Sequence, residues 1–155
     1  MSQILNQFNQ APIKGMTDLK MNNTIISCVV GSASAGGLVP GQAVTIVNTD
    51  AGIPTVVEAA ADTSDVFGFL TYGIKDVTYE AGDRVEVVIA SGSVLYMEAS
   101  AAVVPYAQLM ILVAGSKVLT ATGSGKMVVG RALDKAAASG DLIRVLVSLP
   151  AIALP

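Results

Sequence analysis

The 155-residue chain has no histidine and no tryptophan, a single cysteine, and charged side chains at only 14% of its positions. Each shortage excludes something. Without histidine, the commonest general base near neutral pH and the commonest transition-metal ligand are both missing. One cysteine, Cys28, allows neither an internal disulfide nor a thiolate metal cluster. It lies in the apolar run TIISCVV (24–30), which marks it as a buried strand thiol rather than a nucleophile. The net charge is −3 and no cluster of Lys or Arg occurs, which argues against a protein that tracks a phosphate backbone. Aromatic residues are few, at 5%, and do not interleave with basic ones as a single-strand platform requires. Nucleic acid is therefore not an expected partner.

The shortage of charge also raises the question of a membrane. Residues 21–49 and 99–116 carry no charged side chain. The first stretch is broken by Gly31, Gly36, Gly37, Pro40 and Gly41, and the second by Ser100, Pro105 and Gln108. Neither reads as a continuous lipid-facing helix, and no membrane partner is expected. The first residues lack a basic start followed by an apolar block, so they do not read as a secretory signal. A surface so poor in charge has little to keep it from associating. Part of it is expected to be covered, by copies of the same chain or by a larger partner.

What the sequence does contain is β signal. Ten short runs rich in Val, Ile and Thr follow Asn23: TIISCVV, AVTIVN, PTVVEA, DVFGFLTY, RVEVVIA, SVLYMEA, QLMILVA, KVLTAT, KMVVGRAL and LIRVLVSL. Their spacing and the Gly, Pro and Asp between them predict an all-β sandwich or barrel of antiparallel strands. In RVEVVIA the alternation groups Val85, Val87 and Ile89 on one face, with Arg84, Glu86 and Val88 on the other. One short helix is expected at most, over the Ala-rich segment RALDKAAASGD that stops at Gly140. The 52% apolar content and the length suit one domain with a real core.

The chain also repeats itself at an offset near 60 residues. VPGQAVTIVN (39–48) aligns with VPYAQLMILV (104–113), DVFGFL (65–70) with MVVGRAL (127–133), and AGDRVEVVIASG (81–92) with SGDLIRVLVSLP (139–150). The expected organisation is an extended N-terminal arm (1–23), a β-domain (24–149) built of two units at about 38–92 and 103–149, and a C-terminal tail (150–155). The two units are expected to close one core. The first two dozen residues mix Gln and Asn with scattered large apolar side chains and hold no period. Two readings stand for them, a disordered end or an arm that orders on a partner.

Several motifs mimic chemistry. In TGSGKMVVG (122–130) the Gly-Ser-Gly-Lys run resembles the end of a phosphate loop, but Thr120 stands where the first Gly belongs and Met127 where Ser or Thr must follow the Lys. It is read as a hairpin turn between KVLTAT and MVVGRAL. The Gly-rich VVGSASAGG (29–37) lacks dinucleotide spacing and a following helix. The acids Asp62, Asp65, Asp76, Glu80, Asp83 and Glu86 have no calcium-loop spacing, and Asp83 and Asp141 recur at matched turn positions, so they read as turn formers. Seryl catalysis lacks both its base and its elbow. No catalytic residue, metal ligand or cofactor site is expected, and the chain is read as non-enzymatic.

The second unit, GKMVVGRALDKAAASGDLIRVLVSL, resembles the C-terminal segment of the tailed-bacteriophage capsid decoration proteins, also called head-stabilising or structural cement proteins. The positions that carry the resemblance are Gly130, Ala132 to Ala138, Gly140-Asp141 and Leu142 to Val147, together with the opening segment LVPGQAVTIVN behind a polar arm. It covers about residues 24–149, and the tail PAIALP has no counterpart in it. The resemblance implies a homo-oligomer, a dimer or trimer, on the outer surface of the virion capsid, made in the host bacterial cytoplasm. It implies a chain that binds the major capsid protein and bridges its subunits. The residues expected to dock are Ile4, Leu5, Phe8, Ile13 and Met16 of the arm, with Ile152 and Leu154 of the tail at an oligomer contact. Burying four or five such side chains contributes about 5 to 10 kcal/mol before ordering costs. The competing readings are a tail, fibre or other multimeric virion component and a carbohydrate-binding β-sandwich, the latter weakened by the absence of Trp.

Overall fold

The computed structural model describes residues 14–17, 23–32, 36–50, 52–60, 65–72, 78–112 and 117–155. It is all-β, and the ten apolar runs each contribute one strand. The first half holds β1 (Ile25–Val30), β2 (Ala43–Asp50), β3 (Ile53–Glu58), β4 (Gly68–Leu70) and β5 (Arg84–Val88). The second holds β6 (Val94–Glu98), β7 (Gln108–Ile111), β8 (Val118–Thr120), β9 (Met127–Ala132) and β10 (Leu142–Ala153). Strands β1, β3, β2, β4 and β5 form a closed barrel in that order; β6, β10, β9, β7 and β8 form a five-stranded sheet.

The two halves use one pairing scheme. In the first, β2 pairs with β3 and β4, β4 with β5, and β5 with β1, all antiparallel. In the second, β7 pairs with β8 and β9, β9 with β10, and β10 with β6. The barrel closes by a parallel contact of β1 with β3, where Gly31 N–H donates to Val56 O at 2.8 Å. The second sheet curls the same way: Ala99, just past β6, bridges Val118 of β8 in parallel, and Ser100 N–H donates to Val118 O at 2.8 Å.

Matched side chains fix matched turns. Asp83 Oδ2 accepts the Glu80 N–H at 2.9 Å, and Asp141 Oδ2 accepts the N–H groups of Ala137 and Ala138 at 2.7 and 3.1 Å. Those carboxylates satisfy donors that the turn leaves unpaired, which is the role a turn Asp serves. Gly68 and Gly130 occupy a second matched pair, where strands come too close for any side chain. A Cβ there would meet Val88 O at 2.4 Å in one case and Leu146 O at 2.5 Å in the other.

Burial falls into two cores rather than the single shared one expected from the repeat. Cys28, Val30, Leu38, Val44, Val56, Leu70, Val85 and Val87 fill the barrel of the first half. The second core gathers Met97, Leu109, Ile111, Val118, Ile143, Val145 and their neighbours, and it also takes Ala43, Ala59, Val66, Phe69 and Val88 from the first half. Strand alternation explains the split: Val44, Leu70 and Val87 point into the barrel, while adjacent Ala43, Phe69 and Val88 point out of it and close the second core. The polar face expected of β5 is thus interrupted at Val88, which is fully buried against the second half.

Of two local expectations, that of at most one short helix is met with none among the described residues, and the other is corrected. The Ala-rich segment forms no helix. Strand β9 runs to Ala132, then Asp134 is held by Arg144, and Ala136 exchanges both backbone hydrogen bonds with Val103 at 3.0 Å. Those tertiary partners outweigh alanine's helix propensity over so short a span. The Gly-Ser-Gly-Lys turn is not a hairpin either, because β7 lies between β8 and β9. Its backbone partner is the C-terminal end: Gly125 N–H donates to Leu154 O, and Leu154 N–H to Lys126 O, at 2.9 and 2.8 Å.

Candidate interaction surfaces

Ile4, Leu5, Phe8 and Ile13 lie outside the described residues. Met16 does not. It belongs to a short segment, residues 14–17, that is built into the seam between the two halves. Gly15 N–H donates to Tyr96 O of β6 and Gly15 O accepts the Tyr72 N–H beyond β4, both at 2.7 Å. Met16 O then accepts the Tyr96 N–H at 2.8 Å, and Thr17 bridges Leu95. Glycine is required here by close approach: a Cβ on Gly15 would stand 2.7 Å from both Gly41 N and Pro40 Cβ. Lys14 continues the seam, lying 3.8 Å from Glu98, which Lys117 also pairs. Burial holds the Lys14 ammonium below its ordinary pKa, against the opposing pull of Glu98.

Ile152 and Leu154 sit at the other end of the chain, Ile152 on a strand that continues past the expected boundary at 150 and Leu154 just beyond its last residue, Ala153. After a bulge and a cis Leu149–Pro150 bond, Ile152 pairs with Val128 and Ala153 with Met127 of β9. Ile152 is 67% exposed, while Leu154 is half-buried against the Gly-Ser-Gly-Lys turn. Together with Gln108, Val128, Arg131 and Ser148 they line a mostly apolar depression of about 240 Å³. It adjoins a second exposed apolar feature that reasoning from sequence missed, the turn Val104–Pro105–Tyr106–Ala107. Val104 is 66% and Tyr106 72% exposed. The signal was present: Pro105-Tyr106 aligns with Pro40-Gly41 in the repeat, so an aromatic residue stands where the other unit keeps glycine.

The turn geometry is the same in both units. Gln42 N–H donates to Val39 O at 3.1 Å and Ala107 N–H to Val104 O at 3.2 Å. Gly41 and Tyr106 both take a positive φ, 76° and 64°, and donate to Leu70 O and Ala132 O respectively. This is the turn with proline second and a left-handed residue third, a place glycine normally fills. At Gly41 the arm leaves no room, since a Cβ would meet Lys14 Cγ at 2.8 Å. At Tyr106 the turn is exposed.

Cys28 is fully buried with its thiol pKa raised by desolvation. Among the acids, Asp62 and Asp76 lie outside the described residues, Asp65, Glu80 and Glu86 are exposed, and Asp83 holds its turn. Asp134 receives a forked pair of hydrogen bonds from Arg144, Nε at 2.9 Å and Nη2 at 2.7 Å, which hold its carboxyl below the usual range despite partial burial. Among the described residues, no group of three or more Cys, Asp or Glu is arranged to hold a metal ion, and no helix is long and apolar enough to cross a membrane.

No family model matches the chain, and no curated protein matches it by sequence. Among solved structures, the fold is similar to the N base of head fiber gp8.5 of bacteriophage phi29, with a TM-score of 0.55 at 14% identity. The similarity covers 84% of this chain and 98% of that one.

Proposed function

We propose that the chain is a non-enzymatic structural component of a bacteriophage virion that decorates the head, binding the outer surface of the major capsid protein and bridging its subunits. The observation that carries this reading is the fold shared with the base of a phage head fiber, over nearly the whole of that base. Two properties of the molecule support it. The three most exposed large apolar residues among those described, Val104, Tyr106 and Ile152, lie on the second half, and a low charge content leaves that surface free to associate. Repeated attachment across a shell would turn modest single contacts into tight overall binding.

The test is cosedimentation of the full chain with undecorated heads of the encoding phage. Saturable binding at a fixed ratio to capsid subunits, with a raised temperature of head disruption, is the expected result. A chain that stays in the supernatant would refute the reading. The neighbour's identity as a fibre base favours one second reading, in which the chain seats a fibre on the head. Electron microscopy of decorated heads separates the two: a low knob with nothing projecting supports decoration, and a projecting shaft supports the base of a fibre.

A further inference from the structure

The structure points to a specific docking element. We propose that the Val104–Tyr106 turn, flanked by Arg131 and Lys135, is a knob that enters an acid-rimmed apolar pocket on a partner protein; this rests on the proposed function, which makes that partner the major capsid protein. Three observations converge on it. Tyr106 adopts a left-handed backbone, φ 64°, and is the one non-glycine residue to do so among the described residues. That conformation carries a steric penalty for any residue with a Cβ. The matched turn in the first half shows that the fold accepts glycine at this position. Yet the side chain placed there makes no use of the core, being 72% exposed beside Val104 at 66%. A strained, exposed tyrosine is costly to folding, and tyrosine is the kind of side chain that anchors protein interfaces.

The charges around the turn specify the partner. Arg131 is exposed and its Nη1 donates to Tyr106 O at 3.5 Å. Lys135 is exposed and precedes Ala136, which is bonded to Val103 in both directions. The carboxylates of the same segment are turned to internal work, Asp134 on Arg144 and Asp141 on the amides of Ala137 and Ala138. An apolar knob between two outward cations, on a chain of net charge −3, suits an apolar pocket with acidic groups at its rim.

The experiment compares wild type, Tyr106→Gly, Tyr106→Phe and the double variant Arg131→Gln/Lys135→Gln, each as the full chain. It measures affinity for undecorated heads together with the thermal midpoint. Tyr106→Gly is expected to weaken binding about tenfold or more while leaving the midpoint equal or higher, and Tyr106→Phe to stay within about threefold of wild type. The double variant is expected to bind more weakly and to lose most of the salt dependence. Tyr106→Gly binding as well as wild type would overturn the docking assignment while leaving the proposed function intact. A midpoint that falls together with binding would overturn it too, by showing that Tyr106 serves the fold. Wild type that ignores heads would remove both, and binding to single-stranded DNA that depends on the same residues would reassign the knob to nucleic acid.

Discussion

Replacing Gly130 or Gly68 with alanine should destabilise the protein far more than the addition of one methyl group suggests. At Gly130 the new Cβ would lie 2.5 Å from Leu146 O and 2.9 Å from Val145 Cγ1; at Gly68 it would lie 2.4 Å from both Val88 O and Val87 Cγ1. Carbonyl oxygens in a paired strand cannot retreat alone. Leu146 is held in register with Arg131, and Phe69, next to Gly68, is paired with Val88. Relief therefore means prying β9 from β10, or β4 from β5, along ladders that bound the cores. Overpacking that forces backbone shifts costs about 3 kcal/mol. For a domain of this length that lowers the thermal midpoint by about 6–12 °C. Gly31 provides the control. Its Cβ would meet chiefly side-chain methyls, Val57 Cγ1 at 2.8 Å and Thr55 Cγ2 at 3.1 Å, with Val56 O at a tolerable 3.4 Å. Rotamer shifts can absorb that, and about 1 kcal/mol is expected. Chemical denaturation of the three variants checks the order. Gly130→Ala and Gly68→Ala within 0.5 kcal/mol of wild type, taken as about the size of a neutral surface change, would refute the close-approach account.

Other predictions rest on equally local features. Phe69→Ala and Leu70→Ala, neighbours buried in different cores, should each cost about 2–5 kcal/mol in urea denaturation, and Phe69→Ala alone should speed hydrogen exchange in β7 and β10. Because Arg144 depresses the Asp134 pKa in the folded state, that contribution is present above the ordinary aspartate value and is lost progressively as pH falls from there through the depressed folded-state value. The thermal midpoint should decline below about pH 4, and less steeply in Asp134→Asn. Gly15→Ala should expel the seam segment, seen as faster exchange of the Tyr72 and Tyr96 amides with Val87 unchanged.

Much of this fold is legible in the residues. The ten apolar runs, the turn roles of Asp83 and Asp141, and the burial of Cys28, Val85 and Val87 all follow from local pattern, because each depends on strand alternation or on a side chain bonding its own turn. What escaped depends on contacts between distant segments. Alternation groups Val88 with Arg84 and Glu86, and only the packing of the second half, which also takes Phe69, buries it. The Ala-rich segment does not follow its composition, because Val103 and Arg144 claim its backbone and its aspartate. The crossing from β8 to β9 cannot be told from a hairpin by its turn residues, since the strand that separates them, β7, comes earlier in the chain.

The duplicated scheme acquires its meaning from the places where the halves differ. The first half closes its barrel fully and lends its outer face, through Ala43, Phe69 and Val88, to the second core. Its Pro40-Gly41 turn is sealed by Lys14 and Gly15. Among the described residues the same turn in the second half receives no such cover, and there the chain carries Tyr106 in place of glycine. Selection for stability alone would favour glycine at both, since the backbone conformation is shared and the tyrosine ring gains no burial. One copy of the turn thus joins the protein to itself, and the other is left projecting with its aromatic side chain bare. A duplication that begins with two equivalent turns can divide labour in this way without altering a single strand pairing.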